Sequence, residues 1–202
     1  MVRFYTSSLM KDPTLFCKIG LICFVAIQGY SVVKQASREK ETQMKQEMLE
    51  QLAYTDILTS LPNRTCYEKR KEEYKQKETE KSLFVMVVDL NNLKSINDQF
   101  GHMEGDRAII RMAKILGTCF DKERECFRIG GDEFLVLAEM EETDFMEKLS
   151  EMKEQIFIAN KTLPYDFSAA YGYRITAPKE IDEAIMQADF KMYQQKAEMK
   201  NN

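Results

Sequence analysis

The sequence predicts an α+β domain behind an apolar N-terminal appendage, and three observations carry the prediction. Helical and strand-like segments alternate from Thr55 onward; Ser82 to Asp89 (SLFVMVVD) is a continuous apolar run ending in a carboxylate; and Gly130-Gly131-Asp132-Glu133 separates two short strand-like runs. The resulting order of helix, strand, helix, strand, strand, helix, strand, helix suits an antiparallel or mixed sheet covered by helices. At 202 residues the chain has room for one ordinary domain and an appendage, not for two full domains.

The appendage comes first. Thr14 to Val33, TLFCKIGLICFVAIQGYSVV, is apolar except for Lys18, Gln28 and small hydroxyls. At 1.5 Å per residue, about twenty residues cross a hydrocarbon core about 30 Å thick, and Lys18 lies near one end, where its stem can carry the ammonium to the interface. A transmembrane helix is therefore expected at about residues 14–33, within an N-terminal segment 1–34. A signal peptide, a buried helix and the last span of a larger membrane region are the competing readings. Lys34, Arg38, Lys40 and Lys45 after the span outnumber Arg3 and Lys11 before it, which places the C-terminal side in the cytoplasm. Residues 35–54 follow as strong helix formers without Gly or Pro. Met44, Met48 and Leu52 recur at i, i+4 and i+8, either as the edge of a solvated linker helix or as a short coiled coil.

The main domain is expected over 55–202. Asp56 to Arg64 reads as a turn feeding a charged helix that ends near Lys81, followed by the Ser82–Asp89 strand. Asn91 to Asp106 reads as a loop, and Arg107 to Leu116 as a helix with an Ile109, Ile110, Met112, Ala113, Leu116 face. Cys126–Ile129 and Phe134–Leu137 form a hairpin around the glycines, whose expected uses are positive φ and close approach of the backbone to a ligand. A helix at Phe145–Ile158, a strand at Phe167–Tyr173 and a helix at Ile181–Lys200 complete the pattern.

Composition narrows the chemistry. The single histidine, His102, excludes zinc hydrolase, metal phosphohydrolase and two-histidine phosphodiesterase sites. A net charge of −4 argues against a nucleic-acid coat. None of the five cysteines lies in a Cys-x-x-Cys pair, which suits a reducing compartment. Asp89 ends the most apolar strand, where an unpartnered carboxylate is costly. If the hairpin lies beside that strand, Asp89, Asp132 and Glu133 converge and require a cation; oxygen donors alone select Mg²⁺ or Mn²⁺, as in phosphoryl and nucleotidyl transfer.

Five ordered blocks carry a family resemblance: Asp56-x-Leu58-Thr59-x-Leu61-Pro62-Asn63-Arg64; Val88-Asp89-Leu90-Asn91-Asn92-Leu93-Lys94-Ser95-Ile96-Asn97-Asp98; Phe100-Gly101-His102-x-x-Gly105-Asp106; Arg128-Ile129-Gly130-Gly131-Asp132-Glu133-Phe134; and Ala188-Asp189-x-x-Met192-Tyr193-x-x-Lys196. From about Leu49 to Asn202 the chain resembles the GGDEF family, the diguanylate cyclases. The resemblance implies a mostly antiparallel central sheet flanked by helices, like a nucleotidyl cyclase or polymerase palm, preceded by a long N-terminal helix. It implies condensation of two GTP into cyclic di-GMP by a homodimer with two Mg²⁺ (or Mn²⁺) per site. Asp89, the Leu90 carbonyl and Asp132 would hold metal, while Glu133 would hold the second ion or help deprotonate the ribose 3′-hydroxyl. Asn97 and Asp106 match guanine-reading positions. Asn92 and Leu93 amides, Lys94, Lys196 and Lys200 would meet phosphate, with Gly130 and Gly131 admitting the substrate. His102 is expected to pack the loop, and Asp56 with Arg64 to pin the domain entrance to the sheet. Taken with the apolar span and its flanking charges, the expectation is a single-pass protein of the bacterial cytoplasmic membrane with its catalytic domain in the cytoplasm, and the acidic charge leaves no nucleic-acid partner expected. The alternative is a catalytically silent GGDEF module that binds GTP or a protein.

Departures from the family pattern are Asn91 for a second Asp, Lys200 for an arginine, Met199 for a glycine and Ala170 for a serine. Asp121-Lys122-Glu123-Arg124 reverses the charges of the product-binding Arg-x-x-Asp of many relatives, so no product inhibition through that site is expected.

Overall fold

A computed structural model describes residues 13–79, 81–121 and 125–201 of the chain, in two compact units that divide after Glu50. The expected apolar span and linker helix are parts of one unbroken helix, α1 (Pro13–Tyr54), because nothing between them interrupts the backbone hydrogen-bond ladder; all but its last four residues belong to the first unit. Phe16–Gln46 is the one stretch among the described residues long and apolar enough to cross a bilayer, and Phe16, Ile19, Ile22, Phe24 and Ile27 are all exposed. Met44 and Met48 are exposed as well.

The second unit contains α2 (Arg64–Gln76), β1 (Leu83–Leu90), α3 (Leu93–Phe100), α4 (His102–Cys119), β2 (Cys126–Arg128), β3 (Glu133–Glu139), α5 (Glu142–Thr162), β4 (Ala169–Thr176) and α6 (Ile181–Asn201). The strands form one sheet in the order β2-β3-β1-β4 with every pair antiparallel, as the resemblance implied. The apolar run is the second strand from one edge, buried along its full length.

Side-chain alternation divides the core in two. Phe84, Met86, Val88 and Leu90 of β1, with Phe134, Val136 and Ala138 of β3, pack beneath α4 and α5 against Met112, Leu116, Phe145 and Leu149. Leu83, Val85 and Val87, with Leu135 and Leu137, face the other way, towards Tyr67 of α2 and Ile181, Ala184, Ala188 and Met192 of α6. An apolar strand without alternation in its composition is thus a strand covered on both faces.

Several element ends differ from the sequence expectation by a few residues, and two segments differ by more. The segment 91–106 is not a loop: Leu93–Phe100 forms α3 and His102 already opens α4, the two separated by Gly101 at φ 85°. Buried Ile96 anchors α3, and this tertiary contact outweighs the Asn, Ser and Asp that read as loop. His102, expected to pack the loop, is instead exposed at the start of α4. The helix expected to reach Lys81 ends at Gln76, where Lys77 is extended and its N–H bonds the Tyr74 carbonyl.

The entrance to the domain is tied by Asp56. Its carboxylate accepts from the Thr59 N–H (2.9 Å), the Thr59 hydroxyl (2.7 Å) and Arg128 Nη1 (2.9 Å), fastening the turn before α2 to the end of β2. Arg64 opens α2 behind Asn63, whose side chain caps the helix at the Cys66 N–H. Burial alone would push the Asp56 carboxyl up, but the bonds from Thr59 and Arg128 outweigh it and hold the group below the ordinary carboxylate range. A depressed carboxylate contributes stability above its unfolded pKa, near pH 4, and that contribution is lost as pH falls through the folded value. Asp56→Asn is therefore expected to cost about 1–2 kcal/mol at pH 7, the lower end for a pair partly open to solvent, and less at an acid pH well below the ordinary carboxylate range. Urea unfolding at the two pH values measures it; a gap that stays constant refutes the account.

Candidate active site

Strand parity decides where the carboxylates point. Asp89 and Glu133 share the odd-numbered face of β1 and β3 and are direct cross-strand partners, so their Cβ atoms lie about 4.5–5.5 Å apart. That face meets α6. Gly172 of β4 lets α6 approach, because a Cβ there would fall 2.1 Å from the Ala188 carbonyl oxygen and 2.4 Å from the Met192 nitrogen. Two side chains of α6 stitch it to β4: Gln195 Oε1 accepts from the Tyr171 N–H (2.6 Å), and Lys191 donates to the Tyr173 carbonyl (3.2 Å). One turn on from Met192, Lys196 Nζ reaches Asp89 Oδ1 at 2.5 Å. Between α6 and the strand ends lies a cavity of about 670 Å³ whose walls include Asp89, Glu133, Phe190, Tyr193, Lys196 and Lys200.

The Asp89 side chain is 8% exposed. Burial pushes its carboxyl up, and the Lys196 ammonium opposes that shift while the charge of Asp132 adds to it. Ala170, the partner of Asp89 on β4, is buried and its side chain carries no polar group.

The Gly130-Gly131 turn is built differently from the expectation. Neither glycine takes a positive φ; among the described residues only Gly101, Ser60 and Asn92 do. A Cβ at Gly130 would fall 2.6 Å from Glu133 Oε2, the tip of a flexible side chain, whereas a Cβ at Gly131 would meet no atom within 4 Å. Arg128 holds the turn's main chain: Nε donates to the Gly130 carbonyl (3.1 Å) and Nη2 to the Gly131 carbonyl (2.8 Å), while Nη1 holds Asp56. Arg128, expected as a strand residue and the first residue of the glycine block, thus also clamps the turn. Five donors in a rigid fork were the available signal. The Asp132 carbonyl accepts from the Leu90 N–H (2.9 Å), which lays the turn alongside the end of β1.

The guanine-reading candidates occupy the α3–α4 corner. Asn97 is half-buried on α3, and Gly105 of α4 makes room for it: a Cβ at Gly105 would fall 1.9 Å from Asn97 Oδ1. Asp106, the next residue, is exposed. Asn92 precedes α3 in the left-handed region (φ 58°), which Asn tolerates better than most residues, and its amide donates to Asp166 Oδ2 (3.2 Å). Leu93 and Lys94 open α3, and Lys94 is exposed. None of these residues lines the cavity that holds Asp89 and Glu133. The structure thus groups Asp89, Glu133, Lys196 and Lys200 in one place and Asn92, Leu93, Lys94, Asn97 and Asp106 in another.

Two of the departures touch each other. Asn91 is buried, and its amide donates to Ser168 Oγ (3.2 Å) and to the Met199 sulfur (3.6 Å). The substituted residues therefore form one contact between the end of β1 and the end of α6. In the segment of reversed charges, Lys122 to Arg124 lie outside the described residues.

Oxygen donors without a neighbouring imidazole or thiolate fit a hard divalent cation, and the two carboxylates on one sheet face with the Asp132 charge nearby supply its chemistry. Among the described residues, no three Asp, Glu, His or Cys side chains already converge as a ligand set; at Asp89 the local positive charge is Lys196.

An open four-stranded antiparallel sheet flanked by helices, with carboxylates at the ends of its two central strands, is the palm-like fold of nucleotidyl cyclases. The family model described as "Diguanylate cyclase, GGDEF domain" matches residues 53–202, and the chain belongs to that family. Among curated relatives it is 31% identical over 182 residues to the Escherichia coli diguanylate cyclase DgcP, spanning 86% of this chain and 53% of the relative. It is 36% identical over 98 residues to the E. coli cyclic di-GMP phosphodiesterase PdeR, spanning 48% of this chain and 15% of that one. The chain thus spans about half the length of DgcP and less of PdeR. Among solved structures, the coiled coil and GGDEF domain of DgcB from Caulobacter crescentus, in complex with c-di-GMP, superposes with a TM-score of 0.70 at 19% identity. That match covers 82% of this chain and 92% of DgcB's.

Proposed function

We propose that this chain is an active diguanylate cyclase that condenses two GTP into cyclic di-GMP with release of two pyrophosphates, in bacterial second-messenger signalling. The observation that carries the reading is the register of Asp89 against Glu133 beside an intact Gly130-Gly131-Asp132-Glu133 turn. In each of the two bond-forming steps, a ribose 3′-oxygen bonds the α-phosphorus of the facing guanine nucleotide, and the second step closes the ring. The α–β bridging bond breaks, and its electron pair leaves with pyrophosphate. The 3′-hydroxyl gives up its proton, for which Glu133 is the acceptor at hand.

Asp89, the Leu90 carbonyl, Asp132 and Glu133 would hold two Mg²⁺ or Mn²⁺, whose chemistry here is to lower the pKa of the hydroxyl and neutralise the leaving group. The chain's own residues do the rest. Asn97 and Asp106 select guanine, the carboxylate accepting from N1–H and the exocyclic amine, a donor pair adenine lacks. Amides at Asn92 and Leu93 receive phosphate oxygens at the start of α3, with Lys94 as a point charge. Lys196 and Lys200 supply cations from α6.

Gly105→Ala tests the guanine reader. The added methyl must displace the Asn97 amide, so GTP affinity should fall about tenfold, the worth of one or two hydrogen bonds, while thermal stability changes little. Titration with a fluorescent GTP analogue measures the loss, and unchanged affinity removes Asn97 from the guanine site.

Each domain carries one such set of groups, so the reaction needs two copies facing each other. Association along residues 35–54 would raise their effective concentration. The apolar stretch of α1 would hold both on the cytoplasmic membrane, catalytic domains in the cytoplasm. The deciding experiment incubates the purified chain with GTP and Mg²⁺ and separates the nucleotides chromatographically. Cyclic di-GMP supports the reading; its absence from a folded, dimeric sample identifies a silent GTP-binding or protein-interaction module instead.

A further inference from the structure

We infer that Lys196 is a built-in counter-cation of the metal site, one that leaves Asp89 when nucleotide arrives and so couples metal binding to GTP binding. The inference rests on the metal-dependent reading above and concerns what this chain's own residues do before substrate is present.

The contact is direct. Lys196 Nζ lies 2.5 Å from Asp89 Oδ1, with the Lys196 side chain 25% exposed and the Asp89 side chain 8% exposed. It is held there by construction: Gly172 brings α6 down on β4, and Gln195, the preceding residue, is fastened to the Tyr171 N–H. A carboxylate this enclosed, opposite Ala170 and beside Glu133, is unstable without a positive partner. A divalent ion on either oxygen of this carboxylate would stand a few ångströms from the ammonium, and the two like charges repel. Metal binding without nucleotide therefore works against the Lys196–Asp89 pair.

A triphosphate changes that balance. Lys196 and Lys200 line the same cavity, one turn apart on α6. Phosphate oxygens entering this cavity offer Lys196 a second anion, and its flexible four-carbon stem allows the exchange. Asp89 is then free for the metal that accompanies the triphosphate. By linkage, each ligand tightens the other through the shared lysine. In this role Lys196 is a positioning residue: it acts on the metal through Asp89.

The test is Mn²⁺ binding to the full-length chain in detergent, followed by Mn²⁺ spin resonance with and without a non-hydrolysable GTP analogue, with no turnover involved. Lys196→Met should tighten Mn²⁺ about fivefold or more in the absence of nucleotide, while weakening the analogue and shrinking the mutual enhancement. A merely structural lysine gives the opposite result, because its loss would loosen the site and weaken Mn²⁺; unchanged or weaker Mn²⁺ binding by a folded variant overturns the inference. If the variant does not fold, the wild-type chain answers. A carbodiimide should join Lys196 to Asp89 as an amide detectable in the digest, and Mn²⁺ with the analogue should suppress it; a link formed equally in both conditions, or in neither, overturns the inference. A chain that shows the exchange but makes no cyclic di-GMP would retain this inference and lose the cyclase assignment.

Discussion

Glu133→Gln is expected to lower cyclic di-GMP formation by about two to four orders of magnitude without unfolding the domain. The substitution keeps size and shape but removes the charge that can hold metal or accept the 3′-hydroxyl proton, a contribution of that order for a positioned base. Glu133 is exposed at the start of β3, so its core contacts are few and stability should move by less than about 0.5 kcal/mol. Its carboxylate lies against Gly130, in a turn held by Arg128, and none of those backbone bonds involves the Glu133 side chain. Chromatographic quantitation of product over time, beside circular dichroism melts of both proteins, is the measurement. Near-wild-type turnover by a folded Gln variant would remove Glu133 from the reaction.

Gly172→Ala is expected to produce the largest structural effect of any single methyl in the domain. Alanine suits a strand better than glycine, so propensity alone predicts a small gain. Packing outweighs it. The new Cβ would fall 2.1 Å from one backbone atom of α6 and 2.4 Å from another, and backbone cannot rotate aside as a side-chain tip can. The helix must lift, at a cost of about 1–3 kcal/mol or more. Lys196 and Lys200 ride on the same helix, so activity should fall about tenfold or more along with stability, as misplacement of positioning groups does. Gly131→Ala is the matched control for stability, because a Cβ there meets no atom within 4 Å. Thermal unfolding and product formation of the two variants decide the matter; equal melting temperatures would mean that α6 does not depend on the close approach.

Much of the fold was legible before any coordinates. An apolar run eight residues long marks a strand buried on both faces, the glycine pair marks the hairpin, and periodic apolar positions mark the covering helices. The misreadings have one cause. Asn91 to Asp106 carries loop-forming residues, yet Ile96 buries its side chain and turns half of the segment into α3, a gain no local window registers. The two hairpin glycines were expected to supply positive φ. One supplies room for the Glu133 carboxylate, and the left-handed positions fall to Asn92, Ser60 and Gly101. Asn91 and Met199, two of the departures, are more than a hundred residues apart in the chain and in contact.

The sequence by itself determined the residue types: oxygen donors without imidazole pairs, glycines at fixed spacing, and the motif order that places the chain in its family. Those are chemical identities and local periodicities, and the chain carries them openly. Only the tertiary structure decided which residues share a face and which are partners. Asp89 meets Glu133 because an antiparallel register puts them opposite, and it meets Lys196 because one glycine lets a helix close on the sheet. Register and close approach are relations between distant segments, fixed by how the core packs.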